Sequence, residues 1–269
     1  MTEPNGQDGV PAGEGGYRDP IRLSQQAMRA PLPKRFYQQV TVAPATEGGH
    51  QVLLDGRPLR TPARRPLVLA TAGAAEVVAE EWRAQVEVID PARMPATRIA
   101  NAALDSVAGE MAAVADEIVR YAGTDLVCYR AGEPAELVAR QQRQWDPLLA
   151  FAHRELGARF MAAEGIVHVA QPDTALAAVS EAVRAITDPV ALAALNVITT
   201  LTGSALVALA VAHGAVDPET AWAAAHVDED WTNELWGEDA EAQARRAARF
   251  TEMRAACRLL LATRPPLTR

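Results

Sequence analysis

Phe36, Gln38, Val40 and Val42 interleave with Tyr37, Gln39 and Thr41, an alternation that predicts a half-buried strand over 35–42. Thr46-Glu47-Gly48-Gly49 then turns the chain, and 51–54 reads as the next strand. Asp55-Gly56 is the strongest two-residue hairpin signal present, because both central positions of a type I′ turn require positive φ. Residues 57–61 return along the hairpin. Pro62 and Pro66 interrupt pairing before Leu67-Val68-Leu69, so a small, edge-rich sheet is expected.

From Gly73 the period lengthens: Val77, Val78, Glu81, Trp82 and Gln85 follow helical spacing, and this helix is expected to cover the sheet. Pro91 and Pro95 end it. Residues 97–121 read as one or two helices, with Ile99, Ala103, Val107, Met111, Val114 and Ile118 along an apolar stripe. Few strands are evident beyond this point. A helix is expected over 133–156, with Pro134 in its first turn, Leu137, Trp145, Leu148, Ala152 and Leu156 on one face, and Gly157 ending it. Asp188-Pro189 opens a helix that runs to Gly214, and Asp217-Pro218 starts a short one through Ala225. The last helix, 228–262, carries Phe250, Met253, Cys257 and Leu260 as its buried stripe. The fold class is therefore α+β. Residues 1–30 form a disordered tail, 31–95 a small β-rich N-terminal domain with its covering helix, and 96–269 a larger, mainly α-helical C-terminal domain.

The helix opened by Pro189 contains 23 residues, 190–212, without a formal charge, which is long enough to span a bilayer. Asn196, Thr199, Thr200, Thr202 and Ser204 in its middle need hydrogen-bond partners that lipid does not supply, so a buried central helix is favoured and no membrane insertion is expected. The first seventeen residues hold Glu3, Asp8 and Glu14, five glycines and no base, so neither a secretory signal nor an Arg-rich transit peptide is expected. Fifty-six alanines against 5% aromatic residues favour helices with small, closely packed faces.

Twenty-six basic residues minus thirty-four acidic ones leave a net charge of −8, with a pI near 5.2. That balance excludes a general nucleic-acid or anionic-membrane binder and leaves room for a basic partner. Lys34 is the one lysine. Cys128 and Cys257 are far apart and form no CxxC, which suits a reducing compartment. GxxxxGK[ST], HExxH and GxSxG do not occur, and the only glycine cluster, Gly13 to Gly16, lies in the tail, so no nucleotide or other cofactor is expected. His50, His153, His168, His213 and His226 lack ligand spacing, and no metal site is expected. Cys128 with a distant His168 as base is an arrangement left open by the linear sequence, although a buried thiol is the commoner state.

One segment asks for a reason. Asp228, Glu229, Asp230, Glu234, Glu238, Asp239 and Glu241 put seven carboxylates, with Trp231 and Trp236 and no base, into fourteen residues. Acids at a helix start suit the macrodipole, Glu241 is spaced to pair with Arg245, and Arg246, Arg249, Arg254 and Arg258 occupy later turns, which explains part of the concentration. The remainder fits a surface that docks a basic, partly apolar patch of another protein, with Trp supplying contact area and carboxylates fixing register. Paired carboxylates for hydrolysis are a third reading, but acids on one open helix face lack a cleft and separated pKa values.

The strings Lys34-Arg35-Phe36-Tyr37, Leu54-Asp55-Gly56-Arg57-Pro58-Leu59-Arg60-Thr61-Pro62, Glu80-Glu81-Trp82, Asp125-Leu126-Val127-Cys128-Tyr129-Arg130, Trp145-Asp146-Pro147 and Trp236-Gly237 occur in that order over residues 34 to 260. Together they resemble the F1-type ATP synthase assembly chaperones that act on the α subunit. The resemblance implies a protein that is not an enzyme, holds unassembled α subunit before β arrives, and has a small β-rich domain followed by a helical one. It carries the recognition role onto the acidic segment before Trp236-Gly237, with Glu229 favoured. Trp82 and Arg57 match family positions too, and both are expected to be structural. Eukaryotic members work in the mitochondrial matrix; the acidic leader here departs from them and favours a bacterial cytoplasm. Two other classes stay open: a small soluble hydrolase using the acids or Cys128, and a membrane-associated scaffold using the uncharged helix.

Overall fold

The computed structural model describes residues 31–165 and 168–264; the tail assigned to residues 1–30 lies outside them. The first strand forms later than the alternation predicts, at Val40–Pro44 (β1), and pairs antiparallel with His50–Leu54 (β2). Residues 33–35 instead run against 87–89: Ile89 N–H donates to Pro33 O (2.8 Å) and Arg35 N–H to Glu87 O (2.9 Å). The Asp55 carboxylate then takes the backbone N–H groups of Gln38 and Gln39, which turns the chain before β1 begins. The Asp55-Gly56 hairpin forms as expected, with φ of 48° and 78°. Its return arm is Arg57–Pro58 (β3). After the proline interruption Val68–Leu69 (β4) pairs further along β2. Gly49, in the turn between β1 and β2, has φ of +76°, and a Cβ there would lie 2.7 Å from Leu69 O. Gly49→Ala is expected to cost about 2 kcal/mol through left-handed strain and that contact, read as a lowered denaturation midpoint with an unchanged slope.

Thr71 caps Ala72–Arg83 (α1) through its side chain, and the helix buries Ala74, Ala75, Val77, Val78 and Ala79 against the sheet. Trp82 is half-buried beside Tyr37, whose hydroxyl donates to Trp82 O (2.6 Å). Arg57 is exposed at the hairpin. The Glu81 carboxylate caps the next helix, Pro95–Asp105 (α2), by accepting from Ala96 N, Thr97 N and Thr97 Oγ1 at 2.7–2.8 Å. Burial pushes its pKa up, and those three donors partly offset the rise. Met111–Gly123 (α3) completes the expected pair of helices.

Two interlocked joints account for most of the remaining sequence strings. Asp125 is fully buried and accepts from Ser204 Oγ (2.5 Å), Leu206 N (3.0 Å) and Val127 N (3.3 Å). Arg130 stacks on Trp145, 5.3 Å from the ring centre, and its guanidinium lies 2.8 Å from Asp146 as an ion pair without aligned hydrogen-bond geometry. Trp145 sits inside Ala135–Glu155 (α4) and donates from Nε1 to Ala224 O (2.7 Å). Pro134 is the N-cap of α4 rather than a residue of its first turn. Tyr129–Arg130 (β5) and Ala163–Glu164 (β6) form a short parallel pair, and Asp173–Arg184 (α5) adds a helix; the hydropathy pattern anticipates neither.

The uncharged segment is two helices, Pro189–Thr202 (α6) and Ala205–Ala212 (α7), and not one. Gly203 takes the left-handed conformation that ends α6, Ser204 caps α7, and the Asp125 joint holds the break. Every residue of α7 is buried, as an all-apolar helix requires. Thr199 and Thr202 satisfy their hydroxyls on Leu195 O and Ile198 O. No helix among the described residues is long and apolar enough to cross a membrane.

The last expected helix is also two. Pro218–Ala225 (α8) leads into Val227–Trp236 (α9), Gly237 turns the chain at φ of 90°, and Ala240–Ala262 (α10) follows. Met253, Cys257 and Leu260 are buried in α10, while Phe250 is half-buried against Trp222. The architecture is a small N-terminal strand region followed by a mostly helical remainder, with α6 at its centre between α2, α3, α7 and α10.

Candidate functional site

Six of the nine residues singled out in the acidic segment, Asp228, Glu229, Asp230, Trp231, Glu234 and Trp236, lie on α9; Glu238, Asp239 and Glu241 lie in the turn and first residues of α10. Asp228, Glu229 and Asp230 occupy the first turn of α9, where the helix dipole favours negative charge. Each then has its own surroundings. Asp228 accepts from Gln141 Nε2 (2.7 Å), and Gln141 is fixed because its Oε1 takes Ala131 N–H (2.8 Å). Asp230 pairs with Arg246 of α10, and this pairing holds the Arg246 pKa above its ordinary value.

Glu234 receives both terminal nitrogens of Arg140, each at 2.7 Å, and the same guanidinium lies 5.4 Å from the Trp231 ring centre. That fork suits a carboxylate better than a lysine would. The Arg140 hydrogen bond holds the Glu234 pKa below its usual range. Asp239 caps α10 by accepting from Glu241 N, and Glu241 pairs with Arg245 at the expected spacing (2.5 Å).

Glu229 differs from these. Its one ion-pair neighbour among the described residues is His226, with Nε2 at 3.8 Å. His226 is buried, and its ring lies tilted at 40° against Trp222, 3.9 Å between centres. Its Nδ1 lies 2.8 Å from Trp222 O, which can only accept, so the ring proton sits on Nδ1 and Nε2 carries a lone pair. Burial pushes the His226 pKa below 6.5, so the ring is neutral at pH 7, and among the described residues Glu229 has no direct ion pair with a charged partner, only the longer-range attraction of Arg246.

The free end of α9 is apolar. Leu235 is 58% exposed and Trp236 84%, immediately before the Gly237 turn. The helix is therefore fixed through Glu234, Asp228 and Asp230 by Arg140, Gln141 and Arg246, while Glu229, Leu235, Trp236 and, past the turn, Glu238 are exposed to solvent. The sequence reading missed Arg140, Gln141 and His226. They sit 94, 87 and 3 residues from their carboxylate partners, and the first two pairings carry no local spacing signal.

Nothing in this arrangement resembles an active site. Cys128 is buried, and its thiol is pushed up to about 12 by desolvation and by Asp125. The His168 ring meets Tyr129 Oη, with Nδ1 at 3.1 Å. Among the described residues no group of three or more His, Cys, Asp or Glu side chains is arranged to hold a metal ion.

Residues 34–153 match the family model for the ATP12 chaperone protein. The fold is similar to that of Atu1473 from Agrobacterium tumefaciens, at 51% identity and a TM-score of 0.84, with 92% of each chain covered. It is also similar to Atp12 from Paracoccus denitrificans, at 44% identity and a TM-score of 0.80 over 86% of this chain and 99% of that one. A single-residue mutant of the Paracoccus protein gives the same TM-score at 43% identity.

Proposed function

The chain belongs to the ATP12 chaperone family, the F1 assembly chaperones its sequence strings resemble, and from that membership we propose that it binds the unassembled F1-ATPase α subunit. It is a chaperone and not an enzyme. The contact surface in this reading is the acidic segment: Asp228, Glu229, Asp230, Trp231, Glu234, Trp236, Glu238, Asp239 and Glu241. The observation that carries it is the exposed Leu235-Trp236 end of a helix pinned through three of its carboxylates, beside a fourth whose own neighbour is a neutral histidine. A rigid platform loses little freedom on binding, so more of the contact energy appears as affinity.

An isolated subunit exposes the interface it will later bury, and a binder that covers this surface competes with self-association. No nucleotide is needed for that. Release follows when the β subunit competes for overlapping surface with the tighter contact. A bacterial cytoplasm is the compartment that suits this reading.

The test follows light scattering by isolated α subunit with increasing amounts of this protein. Wild type is expected to suppress aggregation. Glu229→Lys with Glu238→Lys is expected to need about tenfold more protein for the same effect, because reversing an interface charge costs more than removing an exposed one. Its thermal midpoint should stay close to wild type. Undiminished suppression by the double variant would move the recognition surface elsewhere.

A further inference from the structure

Eight large apolar side chains of the described residues stand in solvent, and four of them, Leu32, Phe36, Val86 and Val88, belong to one feature. Lys34 bridges Val88 in an antiparallel ribbon formed by the segments that precede β1 and follow α1. The hydrogen bonds Arg35 N to Glu87 O and Ile89 N to Pro33 O flank that bridge and fix its register. With a period of two, Leu32, Lys34, Phe36, Val86 and Val88 share one face of the ribbon, and Arg35 and Ile89 point to the other. The inner face is built into the fold: Ile89 is buried, and the Arg35 guanidinium donates to Tyr37 O, Gln38 O and Gln85 O.

The outer face contributes little to folding. Phe36 is 73% exposed and Val86 74%, on a frame that Arg35 holds in place. At its centre is the chain's only lysine. We infer that the outer face of this ribbon is a second client-contact surface, taking an apolar stretch of the α subunit that carries a carboxylate to meet Lys34. This rests on the reading of the chain as an α-subunit chaperone and adds to it a contact of opposite charge to the α9 site. One lysine on a chain of net charge −8 does not make an anionic-membrane surface, and two copies at −8 each repel. Apolar area around one cation fits a client surface that is itself destined for burial.

The experiment places p-benzoylphenylalanine at position 36 of the full chain, irradiates it with isolated α subunit and maps the adduct by mass spectrometry. Adducts to α-subunit peptides containing an Asp or Glu beside apolar residues are expected. Adducts within residues 1–30 of the same chain, or to a second copy, would overturn the inference by naming another occupant. In parallel, Phe36→Ser with Val86→Ser is expected to raise the amount needed for half-suppression of aggregation about tenfold, and Lys34→Glu about fivefold, at unchanged thermal midpoints. If wild type and the Glu229→Lys with Glu238→Lys variant behave as proposed above while these ribbon variants match wild type, the ribbon is not a contact surface and the α9 reading stands. If wild type itself does not suppress α-subunit aggregation, both readings fall.

Discussion

Asp125→Ala is expected to lower the free energy of unfolding by about 3 kcal/mol or more at pH 5, a drop in thermal midpoint of roughly 6–12 °C for a chain of this size. The substitution strands three donors, Ser204 Oγ, Leu206 N and Val127 N, at the joint that starts α7. Asp125→Asn keeps an acceptor oxygen and is expected to stay within about 1 kcal/mol of wild type at pH 4, where the folded wild-type carboxyl is protonated. The pH dependence separates charge from hydrogen bonding. Desolvation raises the folded-state pKa from 3.8 to about 6 against the donors that lower it. Between those values the folded state binds the extra proton, so this group's contribution to stability is largest below 3.8 and falls as pH rises to about 6. The difference amounts to about 3 kcal/mol, and it is absent in Asp125→Asn. Denaturant titrations at pH 4 and pH 7 check this: the Asn variant should gain relative to wild type as pH rises. Parallel pH profiles for wild type and Asp125→Asn would show that the carboxylate is not charged at the cost assigned to it.

The features legible in the sequence were those whose cause is local. Asp55-Gly56 gave its hairpin because two adjacent positive-φ residues suffice, and Asp188-Pro189 and Asp217-Pro218 marked helix starts because capping acts within three residues. The breaks at Gly203-Ser204 and Gly237 were read through, since a lone glycine in a helical pattern is ambiguous until its neighbours are known. At the first, the deciding partner is Asp125, 79 residues away. The strand shift to β1 has the same origin: the alternation at Arg35–Gln39 is real, but its backbone partners are residue 87 and the backbone and side chain of Asp55. In the candidate site the acids were visible as composition. Their division into fixed and free carboxylates was not, because Arg140 and Gln141 reach them from another helix.

That division leads to the largest expected effect on binding. Trp236→Ala is expected to weaken capture of α subunit by about 30-fold or more, the 2 kcal/mol or greater loss typical of a buried aromatic anchor. Folding should hardly change, because a side chain 84% exposed in the free protein gives up little burial when truncated. Titration at two salt concentrations separates its role from that of Glu229. The penalty of Glu229→Lys should shrink as salt screens a surface charge, whereas that of Trp236→Ala should persist. Arg140→Ala tests the platform itself: Glu234 and Trp231 lose their common partner, so affinity should fall although Arg140 need not touch the client. Arg140→Lys, which keeps the charge but not the fork, should recover only part of that loss. Equal affinity for wild type and Trp236→Ala, with both proteins folded, would show that the exposed end of α9 is not the anchor. The carboxylates would then be the candidate for the recognition energy, and the Glu229→Lys penalty should be the larger of the two and strongly salt-dependent.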